Sequence, residues 1–240
     1  MMIITIIQAR VGSTRLPEKV LKPLGDKDVL SYVVDRCRKI EGVNEVIVAT
    51  STLTKDNAIA NWCEQHQVAY FRGSEQNVLS RYVEAAESYQ PDYIMRVTAD
   101  CPFVDYELAT DMVKAIKENP VDIVDIVKPL PRGLAVEIIS YEALKRINNG
   151  KTEERHREHV TYYAYEYKYH FTRLSYEPNK MIQEPQLRIT LDTKEDYELC
   201  QAVAQQFNDH YVSSAEVVKF LKDNPKIAKI NGHIEQKPVV

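Results

Sequence analysis

Residues 3–19 read IITIIQARVGSTRLPEK, and the change from apolar to basic within this stretch sets the fold. Residues 3–7 are β-branched and almost wholly apolar, which marks a strand buried on both faces, as in a parallel sheet. The loop that follows, 8–19, carries Gln8, Arg10, Gly12, Ser13, Thr14, Arg15 and Lys19. A loop leaving the carboxyl end of such a strand lies where open α/β sheets bind their ligands. A triphosphate brings about four negative charges and needs several fixed donors and cations. Two guanidiniums, an ammonium, two hydroxyls and a glycine-flanked backbone supply them, with Arg suited to bidentate contact and Lys to a movable point charge. Neither GxxxxGK[ST] nor GxGxxG occurs in the loop, so it is not a Walker or dinucleotide loop. In isolation it would also suit a solvated basic turn; its place after a buried strand favours the anion site.

Outward from this loop, the first half of the chain alternates strand and helix. Apolar residues at helical spacing (Val29, Leu30, Val33, Val34, Cys37, Ile40) predict a helix over 29–40. Strands follow at 45–49, 68–71, 93–97 and 121–127, with helices at 56–65, 77–88 and 105–118 and a polar loop at 98–102. The expected fold class is therefore α/β: a mainly parallel sheet with helices on both faces. Further on, 134–140 alternates like a strand, and 141–149 reads as a helix closed by Gly150. A helix over 152–163, an aromatic strand over 165–174 and an apolar strand over 187–191 come next. Helices over 194–207 and 212–221 follow, the second capped by Ser213 or Ser214, while 226–240 has few core signals and reads as partly mobile. No linker or repeat interrupts this order, so a single domain over 1–240 is expected, with an antiparallel dimerisation piece inserted around 130–185.

Composition narrows the function classes. With 240 residues, 44% hydrophobic and 28% charged, the chain can bury a sizeable core. A net charge of −4 offers no basic footprint for nucleic acid or an anionic membrane. No run approaches the roughly 18 apolar residues of a membrane helix, and MMIITIIQAR lacks the basic start and cleavage site of a signal peptide. Cys37, Cys63, Cys101 and Cys200 form no CxxC pair, which suits reduced thiols in a cytoplasmic protein.

The segment QARVGSTRLPEKVLKPLGDKDVL, residues 8–30, resembles the N-terminal signature of the sugar-acid cytidylyltransferases, the synthetases that attach CMP to sialic acid and to Kdo. Their approximate pattern, (I/P)-A-R-x-x-S-x-R-L-P-x-K-x-L, is met at Ala9, Arg10, Ser13, Arg15, Leu16, Pro17, Lys19 and Leu21. Within the family the sequence looks most like the spore coat polysaccharide branch. The resemblance implies the nucleotide-diphospho-sugar transferase fold and Mg²⁺-dependent transfer of CMP from CTP to a sugar acid, with release of pyrophosphate. It places Arg10, Ser13, Arg15 and Lys19 on the triphosphate, with Ala9 and Gly12 beside them. It also implies a homodimer.

Nucleotidyl transfer calls for a cation on the phosphates, and Mg²⁺ takes one or two carboxylates. Asp100, in MRVTADCP, stands just past the fourth strand, where it serves either as metal ligand or as a turn residue before Pro102. The family has G-D-x-P there, and Ala99 replaces the glycine. Asp192, in RITLDTKEDYEL, follows a strand and precedes a helix, so an N-cap at Asp192 or Thr193 is the other reading, and cap and metal roles can hold together. The family's V-D-T-x-E-D segment implies metal at Asp192, and Asp196 is assigned to capping.

FRGSEQNVLSRY (71–82) resembles the family's G-S-x-x-D-V-L-x-R-[YF], which brings Arg72 and Ser74 towards base and ribose; capping by Ser74 or Asn77 is the other reading. Arg81, on a helix, would pair with a neighbouring acid. Arg96 and Glu137, each within an apolar strand, want partners: a charged partner for Arg96, which is also a candidate phosphate or sugar contact, and a sugar hydroxyl, a cation or equally a structural Arg for Glu137. The stretch 131–139 (PRGLAVEII) resembles a part of the family near the acceptor sugar. His156 and His159 form an HxxH pair without an evident third metal ligand. R-E-H-V-T at 157–161 is typical of the spore-coat branch, which points Arg157 or His159 at the sugar or a dimer partner. Tyr162, Tyr163, Tyr165, Tyr167 and Tyr169 suit a core or an interface. Two other functions compete: a nucleotide-sugar glycosyltransferase, which would want a D-x-D motif not evident after the fourth strand, and a catalytically silent nucleotide-binding protein.

Overall fold

Alternation along the first strand decides which helices cover which face. The structure, a computed structural model, describes residues 1–235. In chain order its elements begin with β1 (Ile3–Gln8), a small hairpin of β2 (Pro23–Leu24) and β3 (Lys27–Asp28), α1 (Val29–Arg38) and β4 (Glu45–Ser51). Next come α2 (Asn57–Gln65), β5 (Ala69–Gly73), α3 (Val78–Glu87), β6 (Tyr93–Thr98) and α4 (Tyr106–Glu118). β7 (Ile123–Ile126), β8 (Glu137–Ser140), α5 (Tyr141–Asn149), α6 (Glu154–Glu158) and α7 (Tyr162–Glu166) follow. The described chain closes with β9 (Arg173–Tyr176), α8 (Lys194–Phe207), α9 (Ser214–Asp223) and α10 (Pro225–Ala228).

Ile3 and Ile7 of β1 pack with α1, α2 and α4 through Leu30, Ile59, Trp62 and Met112. Ile4 and Ile6 pack on the opposite face with Leu79 and Tyr82 of α3 and Leu144 of α5. β1 is thus buried on both sides, as its unbroken apolar run requires. The seven-stranded sheet has the order β5-β4-β1-β6-β8-β7-β9, with β8 alone antiparallel to its neighbours. The chain runs outward from β1 to β4 and β5, then returns to place β6 on the other flank of β1. Strand order therefore reverses between β1 and β6, and such a switch point opens a crevice at the carboxyl ends of the strands. Gln8 pairs with Thr98 there, so the loop after β1 and Asp100 after β6 emerge side by side.

Capping follows local chemistry. Asp28 accepts from the Ser31 N–H at 2.7 Å, Asn77 from the Ser80 N–H at 3.1 Å, and Ser213 forms a capping box with Glu216. Asn77 and Ser213 take the roles that sequence left open between neighbours.

Three sequence expectations are corrected. The aromatic stretch 165–174 is not one strand: the end of α7 and a 3₁₀ turn at Lys168–His170 occupy half of it, and β9 begins only at Arg173. Its Tyr spacing also fits a helical turn, and the Tyr163 and Tyr167 rings meet at 4.5 Å as i, i+4 neighbours. The helix expected over 152–163 is broken into α6 and α7 by Val160, whose φ of 49° is foreign to a β-branched residue in a helix. The apolar segment 187–191 is extended but makes only one isolated bridge, Arg132 to Arg188, because loops rather than strands lie beside it. The expected insertion thus gives the main sheet β8, antiparallel to both neighbours, and β9, parallel to β7, with α5, α6 and α7 between them. Of the segment 226–240, Asn231 is buried, and residues 236–240 lie outside the described residues.

Arg36 is fully buried on α1 and donates to the carbonyls of Val104 at 2.8 Å, His210 at 2.8 Å and Val212 at 2.9 Å. It also lies over the Tyr106 ring at 5.0 Å, and so ties the approach to α9 onto the sheet layer. Arg36→Met leaves these carbonyls without their donor, so its unfolding free energy in urea should fall by about 3 kcal/mol or more.

Candidate active site

The loop after β1 is folded by its own backbone. The Ala9 N–H donates to the Ala49 carbonyl at 3.1 Å, and the Val11 N–H to Asp56 Oδ1 at 2.7 Å. Ser13 Oγ accepts from the Leu16 N–H at 3.3 Å, and Glu18 takes a left-handed φ of 54°. That turn sends Lys19 inward, where the side chain is buried. Its ammonium lies 2.8 Å from Asp100 Oδ2 and 2.7 Å from Asp192 Oδ1.

Asp192 reaches Asp100 through the extended segment before it. The Leu191 N–H donates to the Asp100 carbonyl at 2.8 Å, and the Thr190 hydroxyl to the same oxygen at 3.1 Å. Leu187, Ile189 and Leu191 face a third apolar cluster with α8 and α9, which turns Arg188 and Thr190 the other way. The segment also touches residues 132–133, where Gly133 has φ +103° and a Cβ would meet the Thr190 backbone nitrogen at 2.7 Å. Only glycine permits so close an approach.

Asp192 Oδ2 lies 3.4 Å from Arg15 and 3.1 Å from Arg188. Arg188 continues to Asp196 at 2.8 and 3.0 Å, and Asp196 also accepts from the backbone of Asp192 and Thr193 and from Asn231 at 2.8 Å. Asp196 thus caps α8, as expected, and also clamps the arginine that holds Asp192. Burial works against ionising Asp100, but the charge and hydrogen bond of Lys19, with help from Thr98, hold its carboxyl well below the usual range. Burial likewise opposes a charged Lys19, and the two carboxylates outweigh it, raising its pKa.

Beside these groups opens a cleft of about 590 Å³. Its lining includes Gln8, Arg10, Asp100 and Asp192 together with Lys128, Arg132, Glu137 and His159. Arg96, also in the lining, lies 2.6 Å from Glu137 Oε2 and donates to Gln8 Oε1 at 3.2 Å. Glu137 therefore has a structural arginine as its partner, supported by the Thr161 hydroxyl at 2.8 Å. Burial lowers the His159 pKa, with Arg96 and Arg132 adding to the effect. Burial pushes the Cys101 thiol, next to Asp100, up to about 12, so it is not a nucleophile at neutral pH.

Of the residues singled out in the sequence, Arg10, Asp100, Asp192, Glu137 and His159 share this cleft, and Arg15 and Lys19 reach its carboxylates. Others are engaged elsewhere. Arg72 donates to the carbonyls of Ser51 and Leu53, Ser74 Oγ accepts from the Asn77 N–H, and exposed Arg157 bonds only Thr152 among the described residues. Arg81 donates to the Ser74 carbonyl rather than pairing with an acid. Gly12 is exposed beside Lys55, which pairs with Glu75 at 2.7 Å. His156 is buried against Glu166 at 2.6 Å, so the HxxH pair is structural. Sequence reasoning passed over Arg188, Asn231, Lys128 and Arg132. Only Arg188 carried a signal, as the polar position of LRITL four residues before Asp192.

A switch-point crevice is where open α/β sheets in general bind ligands, and this sheet with its covering helices has the nucleotidyltransferase type of fold. More particularly, the cytidylyltransferase family model matches residues 4–222, and the chain belongs to that family. An uncharacterized protein of Methanocaldococcus jannaschii is 37% identical over 237 residues, covering 99% of this chain and 97% of its own. Spore coat polysaccharide biosynthesis protein SpsF of Bacillus subtilis is 36% identical over 232 residues, covering 94% and 96%. A cytidylyltransferase from Leptospira borgpetersenii superposes with a TM-score of 0.89 at 29% identity, covering 99% of this chain and all of its own. A CMP-2-keto-3-deoxy-manno-octonic acid synthetase complexed with CTP shares the fold, with a TM-score of 0.66 at 16% identity over 86% of this chain and 99% of its own.

Burial opposes ionising Asp196, yet Arg188 and Asn231 lower its pKa below the ordinary carboxylate value. A depressed folded-state pKa contributes stability above the unfolded value, near 3.9, that is lost as pH falls through the folded one. In urea titrations the stability gap between wild type and Asp196→Asn should stay constant from about pH 6 to 8 and close below about pH 4.

Proposed function

We propose that the protein transfers CMP from CTP to a sugar acid, releasing pyrophosphate, in the making of a surface or spore coat polysaccharide. One observation carries this reading: Asp100 and Asp192 converge on Lys19 of the basic loop and line a cleft of about 590 Å³. The family model supports the nucleotide, and the likeness to SpsF supports the polysaccharide setting. The four free cysteines favour a reducing, cytoplasmic location.

The donor set fits Mg²⁺, since two carboxylate oxygens already point at one cationic centre. No cluster of three or more His, Cys, Asp or Glu suited to a metal occurs among the described residues, so phosphate and water would complete the shell, as Mg²⁺ prefers. Held by Asp100 and Asp192, the ion would offset the charge that develops on the departing pyrophosphate. Arg10, exposed and without an ion pair among the described residues, and Arg15 bind the phosphates, and Ser13 fixes the loop around them. The acceptor hydroxyl attacks the α-phosphorus from the Glu137–His159 end. Glu137 is held by Arg96 and Thr161 and shapes that wall rather than taking the proton. Most of the rate comes from positioning and fixed charge.

Pyrophosphate release across four nucleotides and a panel of nonulosonic and other sugar acids tests the reading. CTP with an acidic sugar should be the productive pair. Arg15→Ala and Asp100→Asn should each lose about 100-fold or more in kcat/KM with unchanged circular dichroism. Near-wild-type turnover by Asp100→Asn with Mg²⁺ would overturn the metal assignment, and release of a nucleoside diphosphate would indicate a glycosyltransferase.

A homodimer forms part of the same proposal. β9 ends the sheet, and Tyr169 nearby is fully exposed. Sedimentation velocity should give twice the monomer mass, and Tyr169→Glu should shift it towards the monomer.

A further inference from the structure

Lys19 stands where a divalent ion held by Asp100 and Asp192 would stand. Its ammonium is in hydrogen-bond contact with one oxygen of each carboxylate, at 2.8 and 2.7 Å, and the side chain is buried. Mg²⁺ holds its oxygens at about 2.0–2.1 Å, so ion and ammonium cannot share this position. An ion seated alongside would face an ammonium only about 4 Å away, where repulsion in a half-buried site is strong. Arg15 and Arg188 already occupy the other oxygen of Asp192, which leaves no vacant side of that carboxylate for a second cation.

We infer that Lys19 is an internal stand-in for the metal, and that it makes divalent-ion entry conditional on the nucleotide. Given the metal seat proposed above, Lys19 closes the carboxylate pair in the nucleotide-free protein. When the triphosphate arrives, its charge draws the ammonium off the carboxylates, and Asp100 and Asp192 become free to take the ion. Lysine suits this exchange because it is a point charge on a flexible four-carbon stem, whereas a planar guanidinium would be locked by bidentate contacts. The left-handed turn at Glu18 fixes where the stem begins, so the movement is confined to the side chain. The outcome is an order of assembly in which an idle site binds little metal.

Mn²⁺ binding, read by electron paramagnetic resonance on the full chain with and without α,β-methylene-CTP, tests this. In the nucleotide-free state Lys19→Gln should bind Mn²⁺ about ten-fold or more tighter than wild type. The gain on adding the analogue should be large for wild type and small for the variant. Lys19→Met serves as a second probe that also lacks the charge. Folded Lys19 variants that bind Mn²⁺ no tighter than wild type, while Asp100→Asn weakens Mn²⁺ binding in the analogue complex, would overturn the gate and leave the metal seat standing. Undiminished binding by Asp100→Asn in that complex would remove the seat and the gate together. Should neither Lys19 variant fold, wild type decides: nucleotide-free binding as tight as in the analogue complex overturns the inference, and weaker binding supports it.

Discussion

One ammonium held between two half-buried carboxylates organises the functional end of this protein. Asp100 leaves the end of β6, Asp192 leaves an extended segment nearly a hundred residues later, and Lys19 comes from the first loop. Like charges brought this close would repel, and burial would raise the cost further. Lys19 cancels both penalties, and Arg15 and Arg188 add to the effect at Asp192. Such a pair stabilises a fold little in net terms, because desolvation offsets most of the attraction. Its consequence is positional: three distant pieces of chain meet at one point.

Support for that point spreads outward in shells of hydrogen bonds. Arg188 is fixed by Asp196, and Asp196 by Asn231 and the first turn of α8. The backbone of 187–191 is stitched to Asp100 and to the loop at Gly133. Within the cleft Arg96 spans from Gln8 to Glu137, so the end of β1 and the reversed strand β8 share one guanidinium. A phosphoryl-transfer site gains from such rigidity, because charge fixed in advance need not reorganise during reaction. Membership of the cytidylyltransferase family sits well with this design, and the likeness to SpsF extends over nearly the whole chain.

Much of this was legible in the sequence. The run at 3–7, the helical spacing of 29–40 and the recurrence of strand and helix depend on local periodicity, which a single chain displays directly. So do the caps at Asn77, Thr193 and Ser213, where a short polar side chain reaches its own helix. The basic loop and both aspartates could be placed because each follows an apolar run, and parallel strands deliver their ends to one edge. Where periodicity is ambiguous, reading failed: the tyrosines of 163–170 satisfy a helical turn as well as alternation, and packing on His170 and Phe171 chose the turn.

What the sequence determined by itself was the set of parts: a doubly wound sheet, a basic loop, two carboxylates and the family to which they belong. Tertiary structure alone decided their pairing. It put Lys19 between the aspartates, gave Glu137 to Arg96, turned Arg72 and Arg157 away from the cleft, and drew Arg188 and Asn231 into support. The reason is physical. Periodicity and capping are short-range and written in neighbouring residues, whereas a buried charge takes whichever partner the fold brings within about 3 Å, however far away it lies in the chain.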